Sequence, residues 1–161
     1  MQFTFVPLFL ALTSAQQYSG PSTCRPIASG MILDCGSQSD AFQLKDVILK
    51  PSVPVAGQPL DIHLIGNLKQ EIASGSTASI SPTVNGAQLG DVNLDICKLA
   101  KERNLKVQCP VKPMKVDMDH SFKIPAYAPK GTYDISAYGF NQEKVRIFNI
   151  TIKHSSQEKQ V

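Results

Sequence analysis

Asp91-Val92-Asn93-Leu94-Asp95-Ile96-Cys97 runs through Lys98 to Gln108 into Cys109-Pro110, and this stretch decides the fold. Its first half alternates apolar and polar residues with a period of two, as a half-buried strand does. Two cysteines then bracket a polar segment in which Lys98 to Asn104 is predicted to make a helical turn or two. Thiols this close in sequence most simply close a local loop. They pin one strand end to the next and leave the space between sheets free. Closing a loop of roughly a dozen residues stabilises a fold by about 3 kcal/mol on a chain-entropy model.

The same period recurs on both sides of this stretch. Leu60, Ile62 and Leu64 oppose Asp61 and His63, and Ala78 and Ile80 oppose Thr77, Ser79 and Ser81. Asn85-Gly86 is the strongest hairpin signal in the chain. Val92, Leu94 and Ile96 alternate cleanly, and Phe122 and Ile124 share one face of a short strand. Tyr133, Ile135 and Ala137 oppose Asp134, Ser136 and Tyr138. Phe148, Ile150 and Ile152 mark one side of a last strand from Lys144 to Lys153. Phe42 to Leu49 is mixed, as in a strand near an edge. Pro51, Pro54 and Gly57, and later Pro125, Pro129 and Gly131, turn the chain. About seven short strands separated by turn signals predict an all-β, immunoglobulin-like β-sandwich. The chain has no Trp, so the buried tryptophan of antibody-type domains is missing.

A length of 161 residues fits one domain with targeting and tail segments. Met1 to Ala15 reads as a signal peptide: Phe3 to Leu12 is apolar, and Thr13-Ser14-Ala15 supplies small residues for cleavage. That apolar run is too short to span a bilayer. Gln16 to Asp34 reads as a loose polar arm, Cys35 to Lys153 as the domain, and His154 to Val161 as a charged tail. The expected location is secreted, or the vacuolar or lysosomal lumen. Four cysteines, Cys24, Cys35, Cys97 and Cys109, suit an oxidising compartment. They allow three connectivities, of which proximity favours Cys97–Cys109 and, by exclusion, Cys24–Cys35.

Catalytic patterns are absent from the sequence: there is no G-x-S-x-G, H-E-x-x-H or P-loop. His63, His120 and His154 lie on separate segments. Asp117, Asp119 and Ser121 mimic the start of a calcium loop, but Phe122 stands where that loop requires Gly. No catalytic residue, metal or cofactor is expected. The formal charge of +3 is spread thinly. Its one basic concentration (Lys98, Lys101, Arg103 and Lys106) is interrupted by Glu102 and reads as a solvated turn. No basic stripe with interleaved aromatics points to nucleic acid. Asn149-Ile150-Thr151 is an N-glycosylation sequon, with Asn149 facing away from the apolar side of the last strand.

Asp34-Cys35-Gly36-Ser37, the pair Cys97 and Cys109-Pro110, and Ile124-Pro125 through Pro129-Lys130-Gly131-Thr132-Tyr133 together resemble the ML family of secreted lipid-recognition domains. The resemblance covers roughly Cys35 to Lys153 and points to the fungal phosphatidylglycerol/phosphatidylinositol transfer branch. The lysosomal sterol carrier lost in Niemann–Pick type C disease belongs to the same family. Periodicity alone makes the apolar stripes ordinary sandwich core, because filled and hollow cores both need apolar inward faces about 10 Å apart. The resemblance implies instead that the sheets splay around an apolar cavity between them. The implied lining is Ile62, Leu64, Val92, Leu94 and Ile96, with Phe122, Ile124, Tyr133, Ile135, Phe148 and Ile150. Tyr127, Lys130 and Tyr138 would sit at its mouth. The implied partners are a phospholipid or sterol and, transiently, membrane surfaces, with the protein acting as a monomer. The rival class is a solid-core protein-interaction module, or a small hydrolase. Two departures stand out. In the family the first cysteine usually bonds one in the last strand, where this chain has none, so Cys24 is the spare partner for Cys35. The extra cysteine pair of animal members is also missing from Lys50 to Pro54.

Overall fold

Apolar alternation becomes two antiparallel sheets in a computed structural model that describes residues 24–156. The segment read as a signal peptide, the first part of the segment read as an arm and residues 157–161 lie outside the described residues. The elements are β1 (Arg25–Ile27), a 3-10 turn (Ala28–Gly30), β2 (Ile32–Asp34), β3 (Phe42–Lys50), β4 (Pro59–Leu68), β5 (Thr77–Val84), β6 (Ala87–Gln88), β7 (Val92–Asp95), α1 (Ile96–Glu102), β8 (Met114–Lys123), β9 (Gly131–Phe140) and β10 (Arg146–Ser156). The large sheet runs β1-β2-β10-β9-β5-β6, with β7 also paired to β5; the small sheet is β3-β4-β8. The segment read as a loose arm therefore supplies two strands, and β10 extends into the segment read as a tail. Strands of three residues are too short to show alternation, so β1 and β2 left no periodic trace in the sequence.

Two bulges explain where the pattern is irregular. The β3–β4 register shifts between Leu44 and Asp46. A bulge inserts one residue and so reverses which side chains face inward. Phe42 and Leu44 face the small sheet's partner before the shift, and Val47 and Leu49 face it afterwards. The mixed reading of this strand is a single inward face broken by Lys45. The disturbed carbonyls are not left bare: Arg25 donates to Leu44 O at 2.5 Å and to Lys45 O at 3.1 Å, and pairs with Asp34 at 3.1 Å. Arg25 thus clips the two sheets together along one long edge. The β9–β10 register shifts likewise between Arg146 and Phe148.

Cysteines close the same region and one other. Cys24 bonds Cys35 and Cys97 bonds Cys109. Cys35 Sγ lies 4.0 Å from Thr151 Oγ1, so Thr151 occupies the last-strand position beside the first cysteine. The second disulfide staples the passage from β7 through α1 to β8. Asp95 caps α1 by accepting from Lys98 N at 2.8 Å, as short polar N-cap side chains do.

Passages between the sheets are distributed unevenly. Among the described residues the β2–β3, β4–β5 and β7–α1–β8 connections all cross at one end, while β8–β9 alone crosses at the other. The three-crossing end is filled. Phe42 lies over Gly66, where an added Cβ would meet its ring at 2.3 Å, and Phe148 lies over Gly139 at 2.9 Å. The buried polar residues Asp40, Ser76 and Asn141 are all at this end. Asp40 takes the Arg146 guanidinium at 2.9–3.1 Å and the Ser37 N–H at 3.0 Å. Ser76 donates to Ala73 O at 2.7 Å, and Asn141 Oδ1 accepts from Glu143 N and Val145 N. The buried apolar cluster of Ile27, Ile32 and Val47, with Leu44, Leu64 and Ile152 against it, lies along the β1-β2-β3 edge.

Candidate functional site

The single-crossing end is hollow. A cavity of about 790 Å³ opens there between the sheets. Leu49, Leu60, Ile62, Phe122 and Ile124 come from the small sheet and its edge, and Ile32, Tyr133, Ile135, Ile152 and His154 from the large one. Alternation explains the selection: Leu60, Ile62 and Leu64 share a face, as do Tyr133, Ile135 and Ala137. Two loops form the rim. Residues 53–56 and 128–130 both line the cavity. The loops are laced together where Gly57 N donates to Ile124 O and Ile124 N to Gln58 O, both at 3.0 Å.

The volume sits high in the range of small-molecule sites, about 300–1,000 Å³. Taking a methylene to occupy about the volume of a water molecule, ~30 Å³, the cavity has room for on the order of 26 methylenes. That is enough for long hydrocarbon and far too much for a void left by imperfect packing. Its chemistry is burial: the walls offer hydrocarbon surface and few polar atoms.

Among the residues implied as lining, Ile62, Phe122, Ile124, Tyr133 and Ile135 come together around the cavity. Leu64 instead packs in the edge cluster. Phe148 is spent on filling the three-crossing end over Gly139. Ile150 pairs opposite Ala137, on the inward face but beyond the lining. Val92 and Leu94 sit on β7, a short edge strand, where Val92 is 48% exposed. Ile96 opens α1 and bonds Ser76 O through its N–H. Of the mouth residues, Lys130 lines the rim. Tyr127 projects from the rim loop at 88% exposure, and Tyr138 lies on the outer face of the large sheet. Asn149 also faces outward, its amide donating to Cys35 O at 3.4 Å. A glycan there would have to share or displace that bond.

Sequence reasoning missed the rim residues Val53, Pro54, Val55 and Ala56, and also Met31, Ile32, Leu49, Ala128, Pro129, Ile152 and His154. Leu49 was hidden by the β3 bulge. The loop residues belong to no periodic strand, and only their apolar character between prolines could have flagged them.

Charge chemistry is sparse elsewhere. His63 meets Asp119 at 2.8 Å and Asp117 at 3.4 Å on the outer face of the small sheet. Among the described residues no group of three or more His, Cys, Asp or Glu is placed to hold a metal ion. No helix among them is long and apolar enough to cross a membrane.

Residues 31–155 match the family model of the ML domain. A phosphatidylglycerol/phosphatidylinositol transfer protein of Mycosarcoma maydis is 27% identical over 109 residues, which is 68% of this chain and 56% of the relative. The chain thus spans little more than half the length of that relative. A Niemann-Pick type C2 protein from the Japanese carpenter ant superposes with a TM-score of 0.56 at 16% identity, covering 75% of this chain and 95% of that one. Chicken MD-1, solved in complex with lipid IVa, gives 0.57 at 15% identity, covering 84% and 96%. These structural likenesses concern the fold.

Proposed function

The chain belongs to the ML-domain family, and from that premise we propose that it binds a phospholipid or sterol in the inter-sheet cavity and carries it between membranes. The carrying observation is the open apolar cavity of about 790 Å³. A bilayer holds an acyl chain by about 0.8 kcal/mol per methylene, so a two-chain lipid of about thirty methylenes must be offset by some 24 kcal/mol of comparable burial. Only a dry apolar interior supplies that. No bond is made or broken, so the task requires no catalytic residue. The transfer activity in the fungal relative's name favours phospholipid cargo, phosphatidylglycerol or phosphatidylinositol in type. A solid-core interaction module would have needed the rim end filled as the other end is.

Membrane contact falls to the rim. Val53 and Val55 are 55% and 50% exposed, Tyr127 88% and Phe122 42%, all around the opening. Exposed apolar groups gathered at one place mark a contact surface. Lys50, Lys123 and Lys130 lie beside them in sequence, and basic residues near an anionic membrane surface contribute about 1 kcal/mol each. The paired cysteines suit a secreted or lumenal setting. The test is organic extraction of the purified protein followed by mass spectrometry, with uptake of a fluorescent phospholipid in parallel. Co-purified lipid or saturable uptake is expected; protein that is empty and inert to the probe refutes the carrier.

A further inference from the structure

A lipid in transit needs a covered mouth, and a lipid that enters or leaves needs an open one. Each methylene left in water costs about 0.8 kcal/mol, so a mouth fixed wide open gives back much of what the cavity gains. One side of the rim has to move. The two rim loops are tied so unequally that only one of them is free to do so.

The rim leading into β9 is fastened from both neighbouring elements and from within. Asn85, at the tip of the β5–β6 hairpin, donates its N–H to Thr132 O at 2.8 Å and accepts from Thr132 N at 2.9 Å. Its side-chain amide donates to Lys130 O at 3.3 Å. Ser156, at the end of β10, accepts from Gly131 N at 2.8 Å and donates to Gly131 O at 3.2 Å. Inside the loop, the Tyr133 hydroxyl donates to Pro129 O, and Ala128 N donates to Pro125 O at 3.1 Å.

The segment that joins β3 to β4 has far less to hold it. Among the described residues, hydrogen bonding across 51–56 is confined to Val55 O, which accepts from Gln58 N at 3.1 Å. Pro51 and Pro54 have no N–H to donate. Val53 and Val55 line the cavity and are nevertheless 55% and 50% exposed. A segment with few hydrogen bonds and little buried apolar contact opens at low cost. Its ends are suited to act as pivots. The β3–β4 ladder stops at Lys50, opposite Asp61. Fastening resumes at Gly57, whose N–H donates to Ile124 O at 3.0 Å. Gly57 sits at a φ of 79°, a region glycine enters without strain. The prolines between the pivots restrict the backbone, so the segment turns as one flap.

We propose that residues 51–57 are the lid of the cavity, turning on Pro51 and Gly57 against a fixed rim at residues 128–132, and that its opening sets the rate of lipid entry and release. This rests on the carrier reading above. It adds a moving part to that reading and assigns the motion to one loop. A gate of this kind governs rates in both directions and leaves the equilibrium alone.

Geometry offers a lock. A Cβ on Gly57 would lie 3.4 Å from Ala126 Cβ, close to the separation of about 3.5–4.5 Å that a disulfide spans. The test loads the oxidised double variant Gly57→Cys, Ala126→Cys with a pyrene-labelled phosphatidylglycerol, the new bond being verified by peptide mapping. Gly57→Ser with Ala126→Ser gives the same shape without the bond. Release into excess phosphatidylcholine vesicles should be about tenfold slower in the bonded variant, a barrier higher by about 1.4 kcal/mol, with affinity at equilibrium unchanged. Pro54→Gly loosens the flap and should speed release severalfold over wild type; it decides the matter if the cysteine pair does not close. Equal release rates in the bonded and unbonded variants, or in Pro54→Gly and wild type, overturn the lid while leaving the carrier intact. A change in affinity as large as the change in rate also overturns it, because the segment would then be wall and not gate. Wild type that takes up no probe overturns the carrier itself, and the lid with it.

Discussion

The two ends of this sandwich use the same strands and have opposite interiors. At one end three connections cross between the sheets, two phenylalanines lie on glycines, and the buried polar residues Asp40, Ser76 and Asn141 tie the crossings with hydrogen bonds. At the other, one crossing and two laced loops surround a cavity of about 790 Å³. The difference teaches how a small β-protein can keep a hollow. Sheets left to themselves close on each other, since burial favours contact. Here the spacing is fixed at the filled end and along the Arg25 edge, so the rim end can remain apart. The tied, filled interior lies on one side of the molecule and the cavity on the other.

Asp40→Ala should break that division most strongly. It removes a buried carboxylate that accepts from Arg146 and from the Ser37 N–H and hydroxyl, and loss of two or more hydrogen bonds to a charged group costs about 3 kcal/mol. Urea unfolding should show this loss, while lipid uptake per folded molecule is unchanged. An equal fall in uptake would mean that the two ends are not separable. Gly66→Val should come next. An added Cβ meets the Phe42 ring at 2.3 Å and Gln43 O at 2.9 Å, and overpacking of this kind costs roughly 2 kcal/mol. Thermal melting should fall with binding retained.

The hollow end should answer in the reverse sense. Ile135→Trp places a large ring in the cavity. Lipid affinity should drop about tenfold, equivalent to about 1.4 kcal/mol, while the melting temperature holds or rises because a void is filled. A large loss of stability would show that Ile135 sits in a packed core. The smallest effect belongs to the rim. Val53→Ser with Tyr127→Ser should leave binding of lipid from dilute solution unaltered and slow vesicle-to-vesicle transfer severalfold. Equal transfer rates would remove these loops from membrane contact.

Much of this architecture was legible, and the gaps have physical causes. Asn85-Gly86 promised a hairpin and forms one, with both residues at positive φ, 51° and 81°, as a type I′ turn requires. Leu60, Ile62 and Leu64 kept an unbroken period, so their shared face could be read. The period of β3 was cut by the bulge at Lys45 and its inward face could not be followed. Alternation marks the inward face of a strand but says nothing of depth along it. Ile135 and Ile150 therefore looked equivalent in sequence, yet one lines the cavity and the other lies beyond it. His154 fell among charged residues and read as tail. Only pairing with β9 brings it inside.

Titration of the purified wild-type protein with a pyrene-labelled phospholipid, beside Ile135→Trp, tests the hollow end most directly. Saturable uptake near one lipid per wild-type molecule, weakened about tenfold in the variant, is the expected result. A folded wild-type protein that takes up no lipid, or a variant that binds as well as wild type, would contradict it.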